Sequence, residues 1–364
     1  MGRTTKARAG QTRTFCEGES PNHQKLVTVR GVLRRGLALL LAALLVTGLT
    51  SALAGCGANT AATSQKNTAS KKVYQIGVIQ PIEHPSLDTI YTGFKEGLKE
   101  QGYADKVKLD FQNAQGDQST MNTISQRFIA DKKDLVLAIA TPAAQAVAAQ
   151  TKDIPVVGAA ITSFTAAKLA QSNDHPGGNV TGVSDMAPVD AQVALITDLV
   201  PRAKTVGFLY NSGEANSVEQ VSLIKKAVEA KGLATTELTV TNSNDIQQVT
   251  QALVQKCDVI YVPTDNTVAS AMPTVSQVAN SAKIPIIVGA DSLVTDGGLA
   301  TAGVNYTELG KKAAAMAVSI LKGAKPADMP IEVMTKEYQI DINKKEADLF
   351  GITIPDKYKD AKML

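Results

Sequence analysis

The sequence predicts an α/β fold of two similar lobes, each a doubly wound parallel sheet, joined by a multi-strand hinge. From residue 73 onward, short apolar runs alternate with amphipathic helical stretches, a pattern typical of buried parallel strands with crossover helices. The same order of runs then repeats at a nearly constant offset, and several segments must connect the two halves. A repeat of this length indicates two domain-sized lobes and not a solenoid.

Each half is predicted to contain four strands separated by three helices. In the first half, the predicted strands are 74–79, 107–111, 135–140 and 155–158, and the predicted helices are 87–101, 120–130 and 142–150. In the second half, the predicted strands are 206–210, 233–240, 259–263 and 284–289, and the predicted helices are 217–231, 245–254 and 267–282.

Matching residues align the two halves. Gly77 in the first strand corresponds to Gly207, which lies 130 positions later. Asp134, before the third strand, corresponds to Asp258 at an offset of 124. The other matches return to an offset of 130 and are Gly102 with Gly232, and residues 154–155 with 284–285. We therefore expect these residues to occupy equivalent places in the two lobes.

The connections between the lobes are predicted from the segments that lie outside the repeats. Residues 177–182, Gly-Gly-Asn-Val-Thr-Gly, are expected to form the first crossover, and Ala300–Val304 the return. Helix 308–321 would pack on the first lobe, and the tail from residue 337 would cross again into a strand at 338–342. The expected boundaries are 73–183 with 305–333 for the first lobe, and 184–304 with 334–364 for the second. Several crossing segments suit a hinge that closes around a ligand.

The first 72 residues are predicted to hold a leader and a tether. Residues 1–55 are interpreted as a lipoprotein signal peptide with an N-terminal extension, because basic residues precede an uncharged apolar run at 37–46 that is too short for an ordinary membrane-spanning helix. The next segment, Leu53-Ala54-Gly55-Cys56, matches the bacterial lipobox. Cys56 is therefore the expected attachment site for acyl chains such as palmitate, and residues 56–72 are expected to form a flexible tether.

Charge and motif content exclude several classes of function. The chain has 37 Lys and Arg against 34 Asp and Glu, but eight basic and two acidic residues precede Cys56. The remainder therefore has a net charge of −3, without the basic surface that nucleic acids require. The three cysteines and three histidines show neither a disulfide framework nor metal-ligand spacing. No hydrolase, phosphate-loop or zinc-protease motif occurs, so we expect no enzyme, no metal and no cofactor.

Candidate binding residues follow the carboxyl ends of the predicted strands, because ligands bind there in open α/β sheets. In two facing lobes these ends share one cleft. The candidate ligand-binding residues are Gln80, Thr141 and Ser163 in the first lobe, Asp185 just past the crossover, and Glu214, Asn216, Asp265 and Asp291 in the second lobe. His84 lies in the turn after Gln80, where it has the simpler interpretation of a turn residue.

The two walls of the expected cleft differ in chemistry. The first lobe offers amides, hydroxyls and a helix N-terminus, which favours an anion, whereas the second offers carboxylates. An α-amino acid, with a carboxylate at one end and an ammonium at the other, satisfies both walls, and we expect Asp291 to bind the amine. Six of these residues also have a structural role as an alternative to ligand binding. The alternative is a helix cap for Thr141 and Asp265, a turn cap for Asp291, a solvated loop position for Glu214 and Asn216, and a hinge brace for Asp185.

Several short segments carry a family resemblance. They are 77–80 with His84-Pro85 and Leu87-Asp88, 113–116 (Asn-Ala-Gln-Gly), 138–145 (Ala-Ile-Ala-Thr-Pro-Ala-Ala-Gln), 178–185 (Gly-Asn-Val-Thr-Gly-Val-Ser-Asp), 214–217 (Glu-Ala-Asn-Ser) and 262–266 (Val-Pro-Thr-Asp-Asn). Over residues 73–354 the chain resembles ABC-transporter solute-binding lipoproteins related to the tryptophan/tyrosine-uptake family. The resemblance implies a type I periplasmic-binding fold, a permease and an ATPase as partners, and ligands that are often aromatic amino acids.

Together these observations predict a monomeric binding protein that captures an amino acid for an ABC importer on the extracytoplasmic face of the cell membrane, to which it is attached only by lipid. Because the chain has no Trp, a ligand ring would stack on Phe164, Tyr91, Tyr210 or Tyr306, or on aliphatic groups. Two alternatives remain. The same fold could serve as a ligand-binding sensor that feeds a receptor, or the ligand could be a nucleoside or a sugar.

Overall fold

The computed structural model describes residues 72–334 and 338–364. The expected signal peptide, the lipid-attachment residue Cys56 and the expected tether up to residue 71 lie outside the described residues. The described strands are β1 (Tyr74–Gln80), β2 (Val107–Asn113), β3 (Leu135–Ile139), β4 (Val156–Ala159), β5 (Val180–Ser184), β6 (Thr205–Asn211), β7 (Ala234–Val240), β8 (Val259–Val262), β9 (Ile286–Val288), β10 (Ala300–Val304), β11 (Glu332–Val333), β12 (Tyr338–Ile342) and β13 (Lys362–Met363). The described helices are α1 (Pro85–Glu100), α2 (Gln118–Ala130), α3 (Thr141–Ala148), α4 (Val189–Leu199), α5 (Ala215–Ala230), α6 (Ile246–Leu253), α7 (Asn266–Ala269), α8 (Met272–Ala282), α9 (Asp291–Thr295), α10 (Tyr306–Leu321) and α11 (Lys344–Phe350).

The strands form two sheets, and we call each sheet with its helices a lobe. The sheet of lobe 1 has the order β11-β5-β4-β3-β1-β2 and is parallel throughout. The sheet of lobe 2 has the order β13-β12-β10-β9-β8-β6-β7 and is parallel except for the β10–β12 pair. Five strands of lobe 1, in the order β2-β1-β3-β4-β5, match β7-β6-β8-β9-β10 of lobe 2. The structure thus confirms the predicted fold class and the internal duplication.

Helices cover both faces of each sheet, which explains the nearly continuous apolar strands. In lobe 1, α1 and α10 pack on one face and α2 and α3 on the other. In lobe 2, α4 and α5 lie on one face, and α6 and α8 pack together on the opposite face.

The residues that match between the two halves of the sequence have the same structural role in both lobes. A methyl group on Gly77 would lie 2.6 Å from the ring of Phe128, and one on Gly207 would lie 2.7 Å from the Sγ atom of Cys257. Both glycines therefore let a covering helix, or the turn after it, approach the sheet closely. The Asp134 carboxylate accepts a hydrogen bond from the Gln75 amide at 2.7 Å.

Asp258 repeats the role of Asp134 in lobe 2. Its carboxylate accepts hydrogen bonds from the amides of Lys204 and Thr205, at 2.7 and 2.9 Å. The duplication therefore preserves individual backbone contacts as well as strand order.

Three segments differ from the sequence prediction. The predicted return at Ala300–Val304 is wrong, because this segment is β10, a strand inside the sheet of lobe 2. The predicted first crossover at 177–182 is wrong for the same reason, because Val180–Ser184 is β5, a strand inside the sheet of lobe 1. Its Gly182 lies beside Gly158 of β4, so closely that a methyl group on Gly182 would overlap the Gly158 carbonyl. The predicted helix 267–282 is two helices, α7 and α8, because Pro273 in the first turn of α8 disfavours a continuous helix.

The described strands require the chain to pass between the two sheets three times. It leaves lobe 1 between β5 and α4, returns between β10 and α10, and passes again between β11 and β12. The helix of the second passage, α10, packs along α1. Methyl groups on Gly93 or Gly310 would overlap the carbonyl oxygens of Thr307 and Ile90, respectively.

We predict that Gly93→Ala lowers the free energy of unfolding by about 1–3 kcal/mol, the usual cost of overpacking. The change would force two helix backbones apart, which outweighs the better helix propensity of alanine, about 1 kcal/mol. Urea denaturation measures the effect. Gly178→Ala is the matched control, because a methyl group there meets no atom within 4 Å. Equal stability of the two variants would contradict close α1–α10 packing.

Candidate functional site

A cavity lies between the two lobes, at the carboxyl ends of the central strands. The lining residues are His84, Ser86, Leu87, Ala140, Thr141, Ala160, Thr162, Asp185, Asn216, Thr264, Asp265, Asn266, Ala269, Ala290, Leu293 and Tyr306. Four of the candidate residues, Thr141, Asp185, Asn216 and Asp265, therefore lie on its wall.

The lobe 1 wall presents the start of α3. Ala140 ends the strand–helix turn with φ 68° and ψ 158°, a backbone conformation that residues other than glycine rarely adopt. This turn places the start of α3 on the cavity wall, where the first backbone N–H groups have no acceptor within the helix, apart from Pro142, which has no N–H. Thr141 is buried, and its Oγ1 atom has no hydrogen-bond partner among the described residues. This part of the wall therefore offers hydrogen-bond donors and a positive helix end to an anion.

Asp185 lies where the chain leaves lobe 1, and it is buried. Its Oδ1 accepts a hydrogen bond from Thr162 Oγ1 at 3.1 Å, and its Oδ2 accepts one from the Tyr306 hydroxyl at 3.3 Å. Tyr306 follows the second passage, so this contact joins two connecting segments. Burial raises the pKa of Asp185 to about 6, although the hydrogen bonds from Thr162 and Tyr306 partly offset that rise.

The lobe 2 wall rests on Glu214, which lies directly behind it. The buried Glu214 carboxylate accepts hydrogen bonds from the Asn216 side-chain amide at 3.1 Å, and from the backbone and side-chain amides of Asn266 at 3.1 and 2.5 Å. It also accepts bonds from the amide and hydroxyl of Thr267 at 3.0 and 2.8 Å. Glu214 therefore orients the wall residues Asn216 and Asn266, and its own oxygens are occupied.

Asn216 has a hydrogen-bond acceptor without a partner, whereas both carboxylate oxygens of Asp265 are hydrogen-bonded. The Asn216 amide nitrogen donates to the Thr264 carbonyl at 2.8 Å, while its Oδ1 atom has no partner among the described residues. Both oxygens of Asp265 are used as a helix cap and brace, accepting from Val268 N, Asn211 N and Ser217 Oγ at 2.8, 2.6 and 2.6 Å. Burial, and then the charge of Glu214, raise the pKa of Asp265.

The other candidates lie off the cavity wall. The Gln80 side chain donates to the Ile82 carbonyl and to Asp88, both at 3.0 Å, and so holds the turn before α1. The Ser163 hydroxyl accepts from the Ala166 amide at 3.2 Å within a loop turn. The Asp291 carboxylate accepts from the adjacent Ser292 amide at 2.7 Å. The structure therefore places the neighbours of Ser163 and Asp291, namely Thr162 and Ala290, on the wall instead.

Residues that the sequence analysis did not select as ligand-binding residues join the two lobes across the cavity. His84 Nε2 lies 3.3 Å from Asn266 Oδ1, Thr162 Oγ1 lies 3.1 Å from Thr264 Oγ1, and the Ser86 and Ser292 hydroxyls are in contact. The segments that hold them follow predicted strands, but nothing in the sequence shows which side chain of a turn faces inward. These contacts mean that the lobes are closed on each other.

The apolar part of the wall comes from Leu87, Leu293 and Tyr306 with several alanines. Of the four aromatic residues considered for ring stacking, Tyr306 alone lines the cavity. Phe164 is buried beneath Gly158, Tyr91 stacks on Phe111 at 4.7 Å, and the Tyr210 hydroxyl donates to Glu237 at 3.1 Å.

The described ranges contain no cluster of three or more His, Cys, Asp or Glu that could hold a metal ion. Among the same residues, no helix is both long and apolar enough to cross a membrane.

Comparison with known proteins identifies relatives of the whole two-lobed region. The family model for ABC transporter substrate binding proteins matches residues 75–361. A tyrosine-binding protein of Clostridioides difficile is 42% identical over 299 residues, which cover 81% of this chain and 86% of the relative.

Two solved structures are similar at comparable sequence identity. One is an ABC domain from Streptococcus pneumoniae in complex with L-Trp, with 46% identity, a TM-score of 0.79, and coverage of 80% of this chain and 100% of that one. The other is the ligand-free, open structure of a substrate binding protein with adhesive properties from Clostridium difficile, with 41% identity, a TM-score of 0.62, and coverage of 80% and 99%.

These matches agree with the two duplicated lobes and the enclosed cavity between them. The family consists of binding proteins and not enzymes, it works with ABC transporters, and its members act outside the cytoplasm. The chain belongs to the family of ABC transporter substrate-binding proteins.

Proposed function

We propose that this chain binds an α-amino acid with an aromatic side chain in the cavity between its lobes and delivers it to an ABC importer. The observation that carries the proposal is that one cavity is lined both by a group that suits an anion and by a group that suits a cation. The start of α3 with Thr141 suits a carboxylate, and Asp185 suits an ammonium group. The named ligands of the relatives, tyrosine and L-Trp, both have these two groups.

Lobe closure supports capture of the ligand by hinge motion. Direct contacts join the lobes here, and the TM-score is 0.79 to the L-Trp complex but 0.62 to the open, ligand-free structure. Since sequence identity to the two structures is comparable, the higher TM-score to the L-Trp complex supports a closed arrangement of the lobes in this chain. We propose that ligand binding shifts an open population toward this closed form.

A thermal-shift screen of the twenty amino acids, nucleosides and sugars tests the ligand class. A ligand that binds only the folded state raises the melting temperature, and the stabilisation is about 2.7 kcal/mol at 100 times Kd. We expect tyrosine and tryptophan to give the largest shifts. Shifts from a sugar or nucleoside with none from any amino acid would refute the proposal.

The competing function is a sensor that passes the bound ligand signal to a receptor. The family assignment favours transport. If the chain serves transport, deletion of its gene should abolish uptake of the labelled amino acid at low concentration. If it serves a sensor, the deletion strain should keep uptake and lose its response to the amino acid. A permease gene and an ATPase gene beside this one would also support transport.

We further propose that Cys56 anchors the mature chain to the outer face of the membrane, on the tether at 56–72. The lipobox segment 53–56 supports the proposal. We predict that Cys56→Ser abolishes labelling by radioactive palmitate and leaves the chain without its acyl anchor. Cys16→Ser is the matched control, since that cysteine precedes the apolar run, and it should label normally. Unchanged labelling of Cys56→Ser would contradict the anchor.

A further inference from the structure

We propose that His84 determines ligand specificity by accepting a hydrogen bond from an N–H or O–H group on the ligand's side chain. This inference rests on the proposed binding of an amino acid and adds a requirement to it. The ligand must bear a side-chain donor, so tyrosine and tryptophan satisfy the site and phenylalanine does not.

The position of His84 is the first observation that supports the proposal. His84 precedes α1, lies on the cavity wall, and has a relative exposure of 7%. Its Nε2 atom lies 3.3 Å from Asn266 Oδ1 on the opposite lobe. The imidazole therefore spans the closed cleft and touches the space that a ligand would fill.

A chain of hydrogen bonds then assigns the proton on the ring. The Glu214 carboxylate can only accept, so the Asn266 group that lies 2.5 Å from it is the N–H donor. This fixes the other end of the Asn266 amide as the Oδ1 acceptor, which faces His84. His84 Nε2 must therefore carry the hydrogen and donate it across the cleft.

The remaining ring nitrogen is then an acceptor. Burial lowers the pKa of His84, against smaller opposing effects of Asn266, Glu214 and Asp88, so the ring is neutral and has one N–H. With that hydrogen on Nε2, Nδ1 has a free lone pair. Nδ1 is buried and has no hydrogen-bond partner among the described residues.

A buried acceptor without a partner selects against ligands that cannot satisfy it. Thr141 and Asp185, which suit the two charged groups of an amino acid, leave the side chain to the rest of the wall. There, His84 adds a polar acceptor to the apolar surface of Leu87 and Leu293. Asn216 Oδ1 is a second acceptor on this wall without a partner among the described residues. The phenol O–H of tyrosine and the indole N–H of tryptophan are donors, and the ring of phenylalanine has none.

The test is calorimetric titration of the purified protein with L-tyrosine, L-phenylalanine, L-tryptophan and 1-methyl-L-tryptophan. We expect phenylalanine to bind roughly 5- to 150-fold more weakly than tyrosine, the range for one buried polar group left unpaired. The N-methyl analogue should show a loss relative to tryptophan. Both comparisons use the unaltered protein, so they do not depend on the folding of a variant.

The variant His84→Phe completes the test. It should weaken tyrosine binding and bring the tyrosine-to-phenylalanine affinity ratio close to one. His175→Phe, at an exposed loop position, should keep the wild-type ratio. Equal affinity of the unaltered protein for tyrosine and phenylalanine, or an unchanged ratio in His84→Phe, would overturn this inference alone. Absence of binding by any amino acid would overturn it together with the proposed function.

Discussion

Replacing Asp185 by asparagine is expected to weaken amino-acid binding by roughly 30-fold or more while the protein stays folded. The proposal gives Asp185 the ligand ammonium as its only cationic partner on the cavity wall. Truncating one member of a buried charge pair costs about 2–5 kcal/mol, and each 1.4 kcal/mol is a tenfold change in affinity. Calorimetric titration at pH 7.5 measures the loss.

Asp291→Asn is the informative comparison, because sequence reasoning favoured Asp291 for the same role. Its carboxylate is used by Ser292 and it does not line the cavity. We expect Asp291→Asn to weaken binding far less than Asp185→Asn does. The opposite order would transfer the ammonium site to Asp291.

The pH dependence of binding gives a second readout for Asp185. Burial raises its pKa to about 6 in the ligand-free protein, so protons compete with the ligand ammonium below that pH. Affinity should be constant above pH 7 and about tenfold weaker at pH 5, where one carboxyl group in about ten remains ionised. Asp185→Asn should lack this dependence. The other titratable groups on the wall are His84, Asp265 and Tyr306.

The same carboxyl affects stability with the opposite sign. A raised pKa means that the folded state binds the proton more tightly than the unfolded chain does. The stability that Asp185 contributes is therefore present at low pH and lost as pH rises through about 6. Asp185→Asn should accordingly be at least as stable as the wild type at pH 7.5 without ligand. A variant that lost both stability and binding would indicate a structural role.

Replacing Glu214 by alanine is expected to lower the free energy of unfolding by about 3 kcal/mol or more. The change leaves the backbone and side-chain amides of Asn266 and the backbone amide of Thr267 without their buried acceptor. The Asn216 side-chain amide keeps the Thr264 carbonyl as an acceptor. Each buried donor left unsatisfied costs about 1–3 kcal/mol. Urea denaturation of the ligand-free protein measures the effect.

Glu219→Ala is the matched control for Glu214→Ala, since it removes a half-exposed carboxylate from α5, the helix that begins directly after Glu214. It should change stability by less than about 0.5 kcal/mol. A Glu214→Ala variant as stable as this control would show that the buried network contributes little.

The duplicated fold was predictable because it depends on sequence patterns that recur in both halves of the chain. Alternation of apolar strands and helices, and pairs such as Gly77 with Gly207 and Asp134 with Asp258, reflect backbone constraints that act in both lobes. The error at 177–182 has a physical cause. Glycines there permit close strand contact at Gly158, and the sequence alone cannot separate that role from a flexible crossing.

The lining of the candidate cavity was predictable to the segment but not always to the side chain. Strand ends indicated loops that line the cavity, yet a one-residue shift decides whether Ser163 or Thr162 is on its wall. Likewise, Glu214 was expected to contact the ligand, but it lies behind the wall and orients Asn266. Such choices depend on contacts between the lobes, which bring together residues about 100–200 positions apart, such as Thr162 with Thr264 and Ser86 with Ser292. No local pattern encodes them.

The account rests on recognition of both charged groups of an aromatic amino acid inside the closed cavity. Calorimetric titration with L-tyrosine, tyramine and 3-(4-hydroxyphenyl)propionate tests it most directly, because tyramine lacks the carboxylate and the propionate lacks the amine. The account predicts saturable binding of one L-tyrosine per chain and at least about 30-fold weaker binding of both analogues. Binding of either analogue as tightly as L-tyrosine would contradict it, and so would the absence of any heat with L-tyrosine and L-tryptophan.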